Sequence, residues 1–217
     1  MYRFDIDPAN VDRDGIAEAQ QLGGAGNLTL NGALADLGTA LRFDIGDSYS
    51  AGCAGVQIGI YSAGNLSAVT FTVTGLDQDG NSATEAVTGP NNSTAETTKY
   101  YSRVTTVAAG AAVASDVEVG PVDEVCSISY QLNWRSPNPA TVAVSGLSGT
   151  CQYDIDETFD NLLSSGTATI NWVTKHSNKT ADFVDALTAH ATGVRLKIDS
   201  YSSGAELQLA IVPDIGF

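Results

Sequence analysis

Histidine, tryptophan, cysteine and basic residues are all scarce in this chain, and each shortage removes a kind of chemistry. Only two histidines occur in 217 residues, His176 and His190, and neither lies in an HxxxH or HExxH setting, so triad and histidine-metal chemistry have almost nothing to draw on. The three cysteines, Cys53, Cys126 and Cys151, are odd in number and widely spaced, without the CxxC pairs of zinc or redox sites. They read as buried thiols; a Cys126–Cys151 bridge requires their strands to be neighbours. Ten Lys and Arg stand against twenty-five Asp and Glu, a net charge of -15 spread along the whole length. Such a surface repels phosphate and argues against a nucleic-acid partner.

No stretch approaches the roughly 20 apolar residues that span a bilayer. The opening MYRFDIDPANVDRDG has neither a basic n-region nor an apolar h-region, so the expectation is a protein made and kept in the cytosol, with no membrane partner. A Gly-x-Ser-x-Gly elbow and a phosphate-cradling loop are missing too, and no cofactor is expected.

What the chain does have is small and β-prone. Charged residues make up only 16%, while Gly, Ser, Thr, Ala, Asn and Val abound, a composition suited to turn-rich sheets and broad contact surfaces. Residues 1–26 lack a steady period and end in Leu22-Gly23-Gly24-Ala25-Gly26. They read as an irregular arm, with a short helical turn at 15–21, that orders against a neighbour and whose removal leaves a folded body.

Beyond the arm, apolar and polar residues alternate. In Val69-Thr70-Phe71-Thr72-Val73-Thr74 the apolar three share one face and the threonines the other, which predicts a strand with Phe71 in the core. The Asp77-Gln78-Asp79-Gly80-Asn81 segment and the strand after it complete a hairpin, with Asp-Gly supplying the positive φ. Further strands are expected at 27–34, 40–45, 55–62, 97–108 and 115–119, then after Gly120-Pro121 at 126–133, 141–145, 151–159, 168–173, 193–201 and 205–212. Thr180–Leu187 is the one helix-like piece, with Thr180 as its N-cap. The expected fold is all-β: two β-sandwich domains, jelly-roll or immunoglobulin-like, at 27–121 and 122–217, preceded by the arm at 1–26.

Asp77, Asp79 and Asn81 form a candidate calcium loop, but the glycine falls at the fourth place rather than the sixth, and an acidic hairpin turn is the favoured reading. Tyr153 to Asp160 gathers several acids that suggest a glycosidase pair; on a strand, Asp154 and Asp156 share one face, which reads instead as a solvated or partner-facing edge. Tyr2, Phe4, Ile6, Trp134 and Trp172 are the candidate partner-binding residues. Trp134, Trp172 or the Tyr100–Tyr101 pair would supply the stacking platform of a glycan-binding module, with core or interface packing the favoured alternative. No enzyme activity is expected.

Three runs carry a resemblance: Asn27-Leu28-Thr29-Leu30-Asn31-Gly32-Ala33-Leu34; Ile60 to Ser67 leading into Val69–Gly75; and Glu85-Ala86-Val87-Thr88-Gly89-Pro90-Asn91. With Thr150-Cys151-Gln152-Tyr153, Thr158-Phe159-Asp160, Asn171-Trp172-Val173-Thr174-Lys175-His176 and Gly193 to Ile198, they make the chain resemble uncharacterised virion structural proteins of tailed bacteriophages. The resemblance covers roughly residues 27–212 and departs where Ser177 replaces a proline of the group. It implies a place in a virion assembled in the host cytoplasm, as a capsid decoration or cement protein, or as a head–tail, tail adaptor or fibre component. The partners it implies are the major capsid protein or other virion proteins and further copies of the chain.

Overall fold

The computed structural model describes residues 2–5, 12–35, 42–45, 48–51, 54–135, 138–163, 170–202 and 205–212, and among these every regular element is a β-strand. In chain order the first nine are β1 (Tyr2–Asp5), β2 (Ala17–Leu22), β3 (Gly26–Asn27), β4 (Arg42–Ile45), β5 (Ser48–Ala51), β6 (Ala54–Asn65), β7 (Thr70–Asp77), β8 (Ser82–Thr88) and β9 (Asn91–Glu96). The remainder are β10 (Tyr101–Ala109), β11 (Val113–Ser127), β12 (Tyr130–Gln131), β13 (Thr141–Ser148), β14 (Cys151–Thr158), β15 (Val173–Lys179), β16 (Phe183–Ala186), β17 (Gly193–Tyr201) and β18 (Glu206–Val212). They divide into an N-proximal unit of residues 9–41 and 51–123, and a C-proximal unit of residues 1–8, 42–50 and 124–217.

In the N-proximal unit the strands run in the order β11-β6-β10-β7-β8, with β2 on β11, β3 on β10 and β9 on β6. Alternation decides which side of β7 is buried: Phe71 and Val73 are fully enclosed while Thr70 faces solvent. They join Val56, Ile58, Ile60, Tyr101 and Val107, all inaccessible, and the apolar area removed from water is what holds these strands together. β7 and β8 pair antiparallel from Thr70↔Thr88 to Leu76↔Ser82. The turn between them closes on Gly80, whose φ of 79° lies in the left-handed region that glycine enters without cost.

The C-proximal unit holds one sheet in the order β16-β13-β18-β1-β4-β5 and a second series β15-β14-β17, with β12 and the last residues of β11 also on β17. Val142, Val144, Leu207 and Leu209 are buried on the first sheet; Tyr153, Ile155, Val194, Leu196 and Ile198 are buried on the second.

Several expectations are corrected. The described residues of the arm include two paired strands: β1 pairs with β18 on one side and β4 on the other, and β2 pairs with β11. Removing residues 1–26 therefore strips strands from both units. The helical turn at 15–21 is β2. The helix at Thr180–Leu187 is instead the strand β16, because Phe183-Val184-Asp185-Ala186 finds a complete set of ladder partners on β13, and pairing outweighs a weak capped-helix pattern of so few residues. Of the strand at 27–34 only the start remains, since Gln20 binds both the amide and the carbonyl of Thr29 and takes the place of a ladder partner. The 168–173 strand begins at Val173; residues 164–169 lie outside the described residues, as does Cys53. Cys126 and Cys151 are free thiols. β17 lies between their strands, with Cys126 level with Lys197 and Cys151 level with Tyr201, so two strand spacings, roughly 10 Å, separate them across the sheet and a further offset along it, too far for a bridge.

Candidate functional site

The acids that cluster between Tyr153 and Asp160 lie on a strand buried on both faces. β14 is flanked by β15 and β17, so Asp154 and Asp156 are enclosed rather than presented on the edge expected from the sequence. A carboxylate removed from water needs cationic or hydrogen-bonding partners, and each has them. Arg195 lies opposite Asp156 and holds it in a salt bridge, with Thr174 on the second oxygen at 2.8 Å. Asp154 accepts from the Asn178 amide at 2.8 Å and lies 3.7 Å from Lys197 Nζ. Burial alone would lower the Lys197 pKa, but its bond to Asp199 and the charges of Asp199, Asp154 and Glu124 raise it overall. Glu157 is held by the Thr188 amide at 2.9 Å and the Thr188 hydroxyl at 2.5 Å. These carboxylates are tied into the sheet and do not face one another across a groove.

At the end of the same sheet, where β14 and β12 stop and β15 and β17 begin, the loops are woven together. The Leu132 amide donates to the Thr192 carbonyl, and the Thr192 amide donates to the Thr158 carbonyl. The Thr192 hydroxyl reaches Asp160 O, and Asp160 Oδ2 accepts from the Asn171 amide at 2.7 Å. A Cβ on Gly193 would lie 2.4 Å from Leu162 Cδ1, so a larger residue here would make the Leu162 side chain shift. This framework carries exposed apolar side chains: Trp134 is 49% accessible, Phe159 50%, Leu163 71% and Val173 53%. The half-buried Trp172 sits beside them with the Arg195 guanidinium 4.4 Å from its ring centroid. Trp134 stacks with Arg135 at 5.0 Å, and its carbonyl is 3.0 Å from His190 Nδ1. His190 has a φ of 67°, an unfavourable backbone for a side chain with a Cβ.

The structure thus brings Trp134 and Trp172 to one end of one sheet. Tyr2 and Phe4 lie on β1, at the register positions of Leu209 and Leu207, and Ile6 lies outside the described residues. Tyr100 and Tyr101 are buried, so they offer no sugar platform; the Tyr101 hydroxyl donates to the Val73 carbonyl, and burial, then the Glu85 charge, pushes its pKa well above the usual value. Asp77 Oδ1 is occupied by the amides of Asp79 at 2.9 Å and Asn81 at 2.8 Å, which is how an Asx turn uses a carboxylate. Among the described residues no cluster of three His, Cys, Asp or Glu is arranged to hold a metal.

A cavity of about 290 Å³ opens beside Ser148, Thr150, Cys151, Tyr153, Asp182 and Leu207. Burial pushes the Cys151 thiol up to about 11, and burial with the Asp182 charge pushes Tyr153 up to about 12. Both stay protonated at neutral pH.

Phe159, Leu163 and Val173 were not singled out in the sequence. The signal was there: alternation breaks after Thr158, where Asp160-Asn161 turns the chain, so Phe159 falls past the end of the strand that would have buried it. Compared with protein-family models, with curated proteins and with solved structures, the chain matches none.

Proposed function

We propose that this chain is a non-enzymatic structural protein of a tailed-phage particle, built from two β-sandwich domains of jelly-roll or immunoglobulin-like type and acting as a capsid decoration or cement protein on the major capsid protein. The observation that carries the contact role is the gathering of Trp134, Phe159, Leu163 and Val173 in exposed positions at one sheet end, since clustered exposed apolar groups on a soluble surface mark places where another macromolecule sits. Two further facts support it. The acids that would serve a hydrolase are held in ion pairs and backbone hydrogen bonds, and the small-residue, acidic surface suits many weak contacts repeated by symmetry. Placement in a virion rests on the resemblance of the strand and turn motifs.

The same fold in a tail, as an adaptor or fibre module, is separated from the shell reading by copy number: hundreds on the shell against about six or twelve on a tail axis. A host-glycan-binding role is favoured by one observation, the exposed Trp134 ring beside Arg135 and His190; saturable binding on a glycan array tests it. The deciding experiment for the leading reading is a density map of purified particles. The chain located between shell subunits supports it, and its absence from assembled particles ends it.

A further inference from the structure

We infer that Asn31 is a modification site governed by the fold: its side-chain amide is kept from the Gly32 nitrogen while residues 28–34 stay bound to β2, and it converts spontaneously to aspartate or isoaspartate once that segment opens. This goes beyond the particle role and holds or fails independently of it. Asn31-Gly32 is the one Asn-Gly pair in the chain. Glycine after asparagine leaves the backbone nitrogen unshielded by a side chain and free to turn toward the amide, so this is the pair most open to ring closure.

The fold uses both members of this labile pair. Residues 28–32 run antiparallel to β2 but form no strand with it, and side-chain amides make the connection instead. Gln20 joins both backbone polar groups of Thr29. Further along, the Glu18 amide donates to Asn31 Oδ1 at 3.1 Å, and Asn31 Nδ2 donates to Glu18 Oε2 at 3.1 Å. The Gly32 amide then donates to the Ile16 carbonyl at 3.0 Å, and the Leu34 amide to the Gly15 carbonyl at 2.5 Å. A Cβ on Gly32 would lie 2.2 Å from Gly15 O and 2.3 Å from Asp14 O, backbone atoms that cannot swing aside. Close approach thus demands the glycine, and a donor and an acceptor set side by side against Glu18 call for the asparagine.

Deamidation needs the Gly32 nitrogen to give its proton to base and attack the side-chain carbonyl carbon of Asn31. A new C–N bond forms, the bond to the side-chain nitrogen breaks, and ammonia leaves behind a cyclic succinimide. Water then opens that ring at either carbonyl. In the folded chain the Gly32 N–H is committed to Ile16, and both ends of the Asn31 amide are committed to Glu18. All three bonds must be released together before the ring can close, so the reaction follows local opening of this segment and not the exposure of Asn31 to solvent. The product does not restore the contact. Where Nδ2 donated, an oxygen now faces the Glu18 carboxylate, which removes a hydrogen bond and sets like charges opposite one another. A copy that has once opened is thereby chemically marked, and residues 28–34 are held less firmly on β2.

The test is peptide mass mapping of the purified full chain, aged in mildly alkaline buffer with and without guanidinium chloride. Denatured chain should convert at Asn31 before any other asparagine, and native chain should convert there at least about tenfold more slowly. Hydrogen–deuterium exchange then compares wild type with two variants. Asn31→Asp should raise exchange at the Glu18 and Gly32 amides roughly tenfold. Adding Glu18→Gln to that variant should bring exchange back toward the wild-type rate, because a glutamine there donates to the new carboxylate. The ageing arm needs no variant, so it decides the matter whatever Asn31→Asp does to folding. Equal native and denatured rates, a different asparagine converting first, or exchange that Asn31→Asp does not raise or Glu18→Gln does not lower overturns the inference.

Discussion

Arg195 on β17 reaches across to Asp156 on β14 and places two nitrogens on one carboxylate oxygen, Nε at 3.0 Å and Nη2 at 2.9 Å from Oδ2. Thr174 takes the other oxygen and Trp172 covers the guanidinium, so three neighbouring strands and the residue before one of them converge on a single buried pair. Asp156→Ala leaves the cation enclosed without its counter-charge, and urea denaturation should show a loss of about 3–5 kcal/mol. The double change Asp156→Leu/Arg195→Met removes both charges at similar volume and should lose less than the single variant. A double variant weaker than the single one would mean that the pair itself is the stabilising element.

Phe71 is wholly inaccessible and packs in the N-proximal core on a strand registered to both β8 and β10. Phe71→Ala should destabilise the protein by about 3–5 kcal/mol through lost transfer energy and the cavity left behind. A chemical-denaturation loss below about 1 kcal/mol would contradict its core position.

His176 gives a pH dependence of defined sign. Burial holds its pKa below the ordinary 6.5, with Lys179 and Lys175 acting the same way and Asp185 and Glu157 opposing. Its Nε2 is 3.2 Å from Asp185 Oδ2 without hydrogen-bond geometry, and its ring lies 4.5 Å from that of Phe183. The unfolded chain therefore binds this proton more readily than the folded one, so the contribution is complete above the unfolded pKa and is lost as pH falls toward the depressed folded value. Denaturation midpoints should drop between about pH 7.5 and pH 5.5, and His176→Gln should flatten that part of the profile. An NMR titration placing His176 above 6.5 would reverse the sign.

Cys126 and Cys151 are buried and form no disulfide, and the Cys151 thiolate is disfavoured by its surroundings. Maleimide labelling of native protein, read by peptide mass mapping, should leave both largely unmodified, while labelling in denaturant should reach both. Rapid native labelling of Cys151 would mean that the neighbouring cavity opens.

What could be read in advance followed from periodicity, and what could not followed from pairing. The alternation from Val69 to Thr74 and the Asp-Gly turn specify β7, its buried face and its hairpin, because each depends on side chains only one or two residues apart. β1 and β16 are too short and mixed to declare themselves; each becomes a strand through partners far along the chain, Tyr2 opposite Leu209 and Val184 opposite Ala143. Asp154 and Asp156 looked solvent-facing because acids usually are, and nothing nearby in sequence announced that Lys197 and Arg195 would stand opposite them. Of the sheet-end site, the two tryptophans were legible as unusual residues. Their meeting, and the exposure of Phe159, Leu163 and Val173, depended on where strands end.

The position of β1 between β18 and β4 has a consequence for biosynthesis. During translation Tyr2–Asp5 leave the ribosome long before Glu206–Val212 exist to pair with them, whereas the strands around Phe71 find all their neighbours much sooner. Nascent chains must therefore carry an open hydrogen-bonding rim on β1 through most of elongation, the kind of rim that recruits chaperones or stray strands. Ribosome stalling after residue 123 should yield a species protected from protease around Phe71 but still cleavable at its N-terminus.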